Sequence, residues 1–441
     1  MLVSVHKQYL FLLFWISGLT VANAQILTLQ QCIDTAQVNN YNLKIGRNSI
    51  SIGDEKYKEA RAGLIPRVSA NADYKYFADL PYQLLPLSVF GGPDGQFKEA
   101  RFGVPHNMNA NVQLTMPLYN AQVNGSIQTS KIASELTHLQ LQKTEEQVFF
   151  EIANLYYNAS ILYHQEAFID SNLLNSRLLL NNMKLLHEQL LVKGTDLSKS
   201  ELQVTQLNTQ KEAVNSKYQQ ILNALKFAMG LSIERNIQID PTLQFQLPVD
   251  YQTFSSIDVR VSEIQNHLLK VELNTLKKSK LPMISLFGTY GTTGFGYDKQ
   301  PNSFLKFYPV GFAGLQLSFP LFNGAVSQQK VNQKRFELNN NALQSSLLNE
   351  QNAMQVKNAK LQLNLAQRSI KTISDQLNLA QSIYMQTLIQ QKYQTASLND
   401  VLLSDNALRE AQQTYLSAVV DYLKADLELK KLTGNISTFK K

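Results

Sequence analysis

The chain has 441 residues, 44% of them apolar and 17% charged, with a mean hydropathy of −0.20, so it can bury a core of its own and is not a disordered tail. Its 80 Asn and Gln residues suit long solvated surfaces that hydrogen-bond without dense charge, and 19 Gly with 12 Pro exclude the collagenous and low-complexity classes. Lys and Arg outnumber Asp and Glu by 41 to 34. The densest basic groups, Lys277, Lys278 and Lys280 and then Lys330, Lys334 and Arg335, lack interleaved aromatics, which argues against a nucleic-acid partner.

At the start, Lys7 precedes an apolar run from Tyr9 to Ile16, and Ala22-Asn23-Ala24 supplies small residues at the cleavage positions, so residues 1–24 read as a signal peptide. Only Lys7 is lost with it, leaving 40 basic against 34 acidic residues. Cys32, the sole cysteine, allows no internal disulfide and reads as a small buried side chain. No apolar run reaches the ~18 residues of a spanning helix, so a membrane-crossing element has to be a strand.

The strongest signal along the chain is a duplication. Leu64-Ile65-Pro66-Arg67-Val68-Ser69 and Tyr74 return 216 positions later as Lys280-Leu281-Pro282-Met283-Ile284-Ser285 and Tyr290. Leu114-Thr115-Met116-Pro117-Leu118-Tyr119-Asn120 returns 203 positions later as Leu317-Ser318-Phe319-Pro320-Leu321-Phe322-Asn323. Pro66, Pro282, Pro117 and Pro320 thus mark equivalent strand and helix junctions. The two offsets differ because a loop differs in length, 78–107 against 295–308, and insertions belong in loops.

The expected organisation is a first repeat at 25–240, a linker at 241–257, a second repeat at 258–434 and a tail at 435–441. Each repeat runs helix, two strands, long helix, return helix. The period-two segments are Val68 to Phe77, Met108 to Met116, Ile284 to Gly294 and Val310 to Phe319, each the length of a tilted membrane strand and carrying Tyr, Phe or small residues near its ends. The strand pairs therefore fall at about 68–116 and 284–319. Four strands cannot close a barrel, and open edges in a bilayer leave backbone groups unsatisfied, so several copies have to share one.

The long helices are expected at 121–190 and 324–390, each roughly 100 Å, with return helices at 197–232 and 397–432. A heptad seam runs through Val148, Ile152, Leu155, Ala159, Leu162, Ile169, Leu173, Leu180, Met183 and Leu190, interrupted at Glu166, Ser176 and His187. The second runs through Leu363, Ala366, Ile370, Ile373, Leu377, Ala380 and Tyr384. Return helices carry partner seams, Leu207 to Ala228 and Leu408 to Leu432, and left-handed coiling is the expected result.

Catalysis lacks a constellation. The histidines are scattered, and there is no zinc spacing, no nucleophile elbow, no phosphate loop and no dinucleotide fingerprint, so neither enzyme activity nor a cofactor or metal is expected. Gly294-Phe295-Gly296 reads as a strand entering a loop. The two hairpin turns are more informative, because a hairpin of this length puts its turn far from the strands. In Leu191-Val192-Lys193-Gly194-Thr195-Asp196-Leu197, Gly194 is the expected positive-φ residue and Thr195 or Asp196 the cap of the next helix. Taken alone it is an ordinary helix turn. In Thr395-Ala396-Ser397-Leu398-Asn399-Asp400-Val401, Ser397 is the expected cap and Asp400 a first-turn acid favoured by the helix dipole.

On these residues the mature chain, over 27–434, resembles the outer membrane efflux proteins of the TolC family. The marks are Leu27-Thr28-Leu29-Gln30-Gln31 with Asn39-Asn40 after it, the doubled Leu/Ile-Pro-x-x-Ser and Pro-Leu-aromatic-Asn motifs, and Gly194 and Asp400 near the tips. The resemblance implies a mostly α fold with a membrane β-barrel. In it, a homotrimer with four strands per chain builds a twelve-stranded barrel in the outer membrane of a Gram-negative-type cell, and the coiled hairpins form a periplasmic tunnel. It implies a passive channel-tunnel of a tripartite efflux or secretion system, fed by a periplasmic adaptor protein and an inner-membrane pump.

The resemblance also implies site residues. Family acids just after the second tip ring the periplasmic entrance, and Asp400 matches the first of them. The second acid's position holds Leu403, with Asp405 close by. In the first tip the family's usual acid is replaced by Ser200, with Lys199 beside it, so a Lys199 to Asp400 latch is one expectation, worth under ~1 kcal/mol for an exposed pair. Gly194, Thr195, Thr395 and Ala396 are the expected adaptor-docking residues, and the gate is expected to open by untwisting of the inner hairpin near Asp400. The rival reading is a periplasmic coiled-coil scaffold or adaptor without a pore. It accounts for the seams but not for the doubled, proline-flanked strand pairs.

Overall fold

The computed structural model describes residues 25–242, 251, 254–296, 306–393 and 395–436. The expected signal peptide, most of the expected linker, the end of the tail and residues 297–305 of the second loop lie outside them. In chain order come β1 (Gln25–Leu27), α1 (Leu29–Asn39), α2 (Tyr41–Ala62), β2 (Arg67–Tyr76), β3 (Tyr82–Pro86), β4 (Phe97–Arg101), β5 (His106–Tyr119), α3 (Ala121–Glu188) and α4 (Gly194–Met229). Then follow β6 (Ile237–Ile239), α5 (Ile257–Lys278), β7 (Met283–Gly296), β8 (Lys306–Ser318), α6 (Val326–Lys392) and α7 (Leu398–Leu432). Among the described residues no helix is long and apolar enough to cross a membrane.

The chain divides into two compact units, one holding Ile50–Thr137 with Glu263–Leu343, the other the remainder. The first contains a four-stranded antiparallel sheet in the order β2-β5-β7-β8. Its register puts Ser69 against Gln113, Asn71 against Asn111 and Asp73 against Asn109 on one face, and Val68 against Leu114, Ala70 against Val112 and Tyr74 against Met108 on the other. In this pair period-two alternation becomes one polar and one mostly apolar face, whereas across β7 and β8 the continuation of the polar face also carries Phe287, Phe295, Val310 and Phe312. Among the described residues neither face is covered. All ten residues of β2 are exposed, as is every residue of β8 except Gly314, whereas β5 and β7 between them are mostly half-buried. Both edges are unpaired among the described residues.

At the helical side of this unit α3 and α5 pack so closely that a Cβ at Gly125 would lie 2.1 Å from Thr275 Cγ2, and Lys334 bridges Glu272 at 2.9 Å. Asn120 of the first Pro-Leu-aromatic-Asn motif caps α3, accepting the amides of Gln122 and Val123 at 2.9 and 3.2 Å. Its counterpart Asn323 instead precedes two left-handed residues, Gly324 and Ala325, so α6 begins at Val326 and not at 324. The interval expected to be a bare loop, 78–107, holds the β3–β4 hairpin, Tyr82 opposite Arg101.

The helical unit packs around residues that the seams anticipated. Ile169 and Leu173 meet Leu207 and Val214, and Ala359, Leu363 and Ala366 meet Val419, Tyr422 and Leu429. The buried stripe is wider than a strict seam because α3 also meets the second hairpin, where Leu179 and Met183 join Tyr384, Leu398, Val401 and Leu408. Leu190 is a correction. It lies beyond the end of α3, 90% exposed, with φ of 58°.

Two family marks have local physical reasons. Thr28 and Gln31 form a reciprocal capping box at the start of α1, and Asn40 both accepts the Leu43 amide at 3.1 Å and donates to the Ala228 carbonyl at 2.7 Å. Beside it, Gly230 ends α4 with φ of 72°, and a Cβ there would lie 2.4 Å from the Asn39 carbonyl oxygen, so both conformation and space demand glycine. β1 and β6 pair in parallel, and Tyr156 donates to the Asp240 carbonyl at 2.8 Å. Cys32 is fully buried, and desolvation pushes its thiol up to about 12, so it is chemically quiet.

Candidate functional site

The two hairpin turns lie in the helical unit. At the first, α3 closes with a Schellman arrangement in which the Leu190 amide donates to the His187 carbonyl and the Leu191 amide to the Leu186 carbonyl, both at 2.9 Å. The left-handed residue is therefore Leu190, four positions before the glycine expected there. Gly194 is instead the first residue of α4, and Lys193 is its N-cap without a side-chain bond, so neither Thr195 nor Asp196 caps. A Cβ at Gly194 would meet only His187 Cε1, at 3.7 Å. Leu190 and Leu191 project from this turn, 90% and 62% exposed.

At the second turn Ser397 is the N-cap expected, and it forms a capping box with Asp400. The Asp400 amide donates to Ser397 Oγ at 3.2 Å, while the Ser397 amide and hydroxyl donate to Asp400 Oδ2 at 2.8 and 2.7 Å. These bonds hold the Asp400 carboxyl below its ordinary value although the side chain is exposed. Leu403 is 67% exposed, and Thr395 is exposed with Ala396 half-buried.

Lys199 and Asp400 do not form the expected latch. Lys199 Nζ donates to Asn399 Oδ1 at 3.0 Å and lies 3.8 Å from Asp196 Oδ1, while Asp400 is engaged by Ser397. The two hairpins are thus tied by the residue next to the acid. Ser200 is buried, its hydroxyl donating to the Asp196 carbonyl at 3.1 Å, so its side chain sits in the packed interior.

Below the tips lies a buried polar cluster, of which the sequence singles out only Asp405, as an acid near Leu403. Asp405 is 3% exposed, accepts from Gln203 Nε2 of α4 and pairs with Arg409 Nη2 at 2.9 Å. Asp405 Oδ1 and Arg409 Nε have no hydrogen-bond partner among the described residues. Burial raises the Asp405 carboxyl against the attraction of Arg409 and the Gln203 bond, and Tyr384 beside it is pushed up to about 12, chiefly by desolvation and then by Asp405. The signal was present: Asp405 falls on the apolar stripe between Val401 and Leu408 and four residues before Arg409. Asn172 Nδ2 adds a further tie between hairpins, donating to Gln412 Oε1 at 2.9 Å. The arrangement offers hydrogen bonds and charge but no nucleophile, and among the described residues no cluster of His, Cys, Asp or Glu could hold a metal ion.

Of the junction prolines, Pro66 precedes β2, Pro282 directly precedes β7, Pro117 lies inside β5 at a register shift, and Pro320 follows β8. Each sits where a strand ends or its pairing breaks, which is where a missing N–H is tolerated.

Residues 32–231 match the family described as Outer membrane efflux protein. The chain carries a TolC-family outer membrane efflux domain. The fold around the domain is that of solved outer-membrane channels. It matches the CmeC outer membrane channel of Campylobacter jejuni with a TM-score of 0.75 at 14% identity, over 92% of this chain and 85% of that one. It matches the outer membrane protein VceC of Vibrio cholerae with 0.74 at 13%, over 92% and 96%. It matches the open-state MtrE outer membrane channel of Neisseria gonorrhoeae with 0.71 at 17%, over 92% and 88%. No curated protein sequence matches significantly. Residues 32–231 thus carry an outer membrane efflux domain, and the chain as a whole has the fold of outer-membrane channels.

Proposed function

We propose that three copies of this chain form one passive conduit, a twelve-stranded barrel continued by a helical tunnel, that carries substrates delivered by a periplasmic adaptor and an inner-membrane pump. The observation that carries this is the sheet of β2, β5, β7 and β8, whose two edges are unpaired among the described residues and whose β2–β5 half has one polar and one apolar face. In a bilayer each unsatisfied edge group costs several kcal/mol, and closure with further copies removes all of them while the apolar face meets lipid and the polar face water. In this reading Asp400 and Leu403 border the periplasmic entrance, with Lys199 and Ser200 supporting it, and Gly194, Thr195, Thr395 and Ala396 meet the adaptor. The repeats at 25–240 and 258–434 supply equivalent halves of the wall.

The test is conductance of the purified protein in a planar bilayer. The account predicts discrete channels, and it predicts that Asp400→Ala alters their conductance or their block by divalent cations. Absence of channel activity from protein that is folded and inserted would refute the conduit.

A further inference from the structure

We propose that β8 of each copy pairs with β2 of the next in one defined register: Leu317 opposite Ala72, Gln316 opposite Asp73 and Leu315 opposite Tyr74 of the next copy. The inference rests on the shared-barrel reading above and specifies its seam.

It comes from the duplication. The two hairpins have the same register once the repeat offsets are applied. Arg67 pairs with Thr115, and their counterparts 216 and 203 positions on, Met283 and Ser318, pair with each other. Val68 and Leu114 become Ile284 and Leu317, and Tyr74 and Met108 become Tyr290 and Gly311, both observed pairs. The offsets thus hold through the whole hairpin and not only at the motifs. Strand β5 is to β8 as β2 is to β7, so the joint between repeats inside the chain, β5 with β7, has a counterpart between chains, β8 with β2.

Inside the chain Leu114 pairs with Gly288, Gln113 with Thr289 and Val112 with Tyr290. Moving one repeat onward turns these into Leu317 with Ala72, Gln316 with Asp73 and Leu315 with Tyr74 of the next copy.

One independent feature fits this register. Faces match: Gln316 and Asp73 are polar-face residues, as are Ser318 and Asn71, while Leu317 with Ala72 and Ala313 with Tyr76 are apolar-face pairs. A slip by one residue would put Leu315 or Leu317 against Asp73 and mix the faces. Slips by two keep the faces, and the repeat equivalence selects among them: it sets Gly314 of β8 against Lys75, the counterparts of Asn111 and Gly291. The exposure of β2 and β8 along almost their full length is what this pairing would remove.

Paired cysteines read the register directly, because a disulfide needs Cα atoms within about 7 Å, as directly opposite residues have, and diagonal partners lie beyond comfortable reach. An intrachain bond is ruled out, since β2 and β8 are three strand spacings apart, about 14 Å. Cys32 is buried and serves as a silent background. Gln316→Cys with Asp73→Cys, oxidised in the membrane, should give a covalent trimer on a non-reducing denaturing gel. Gln316→Cys with Asn71→Cys, or with Lys75→Cys, should give at least about tenfold less. Leu317→Cys with Ala72→Cys repeats the test on the other face. Native mass of each reduced variant shows whether it assembles. Trimers that cross-link best through a shifted pair, or through none, overturn the register while leaving the channel reading intact. A wild-type protein that is not trimeric overturns both.

Discussion

Asp405 and Asp400 stand five residues apart on α7, yet their surroundings push them in opposite directions. Asp405 is raised above the ordinary 3.8 chiefly by burial, and Asp400 is held below it by Ser397. For Asp405 the charged form is the disfavoured one in the folded state, so stability rises as pH falls from neutral through its raised value. For Asp400 the charged form is favoured, so its contribution is present above 3.8 and fades as pH falls below that toward its lowered value. Local stability of the second tip should therefore pass through a maximum on acidification. Hydrogen exchange of residues 397–409 as a function of pH reads this. Asp405→Asn should remove the rise and Asp400→Asn the fall, whereas a monotonic loss of protection in the wild type would contradict the assignment. Asp405 itself was visible in the sequence as an acid on an apolar stripe. Its partner Gln203 was not, because it is 202 positions away and on another helix.

At the scale of elements, the turn between α3 and α4 carries strain in a place the sequence did not advertise. A leucine in the left-handed region costs roughly 1–2 kcal/mol relative to a right-handed one, and glycine would relieve most of it. Leu190→Gly is expected to slow hydrogen exchange at the end of α3. If Leu190 and Leu191 meet an adaptor, the same change should also weaken export. Gly194→Trp should leave the assembly intact, since a Cβ there meets only His187 at 3.7 Å, and should reduce export by crowding the tip. Loss of assembly with Gly194→Trp would show the glycine to be structural only.

What could be read in advance divides along physical lines. The four long strands were legible because period two, proline and repetition agreed, and the observed bounds differ by a few residues at each end. Ser397 as the cap was legible because an N-cap serine is a local device, whereas its reciprocal bond with Asp400, expected only as a first-turn acid, was not. The β3–β4 hairpin was not, since Phe97-Lys98-Glu99-Ala100-Arg101 shows no clean alternation, and a three-residue pairing such as β1 with β6 spans over two hundred positions. Leu190 was missed because a glycine four residues later is the residue that normally takes its conformation.

For the whole molecule, the described residues of the single chain leave a sheet with two open edges and an uncovered face that includes Val68, Val112, Leu315 and Leu317. Such a surface is unstable alone in water and equally unsuited to lipid, where edge groups find no partner. Twelve strands from three chains satisfy that need at a size known for barrels. Native mass of the mature protein, after testing whether it leaves the membrane without detergent, addresses this most directly. The account predicts extraction only by detergent and the mass of three chains. A protein that enters aqueous buffer as a monomer or dimer would contradict it and favour a periplasmic scaffold.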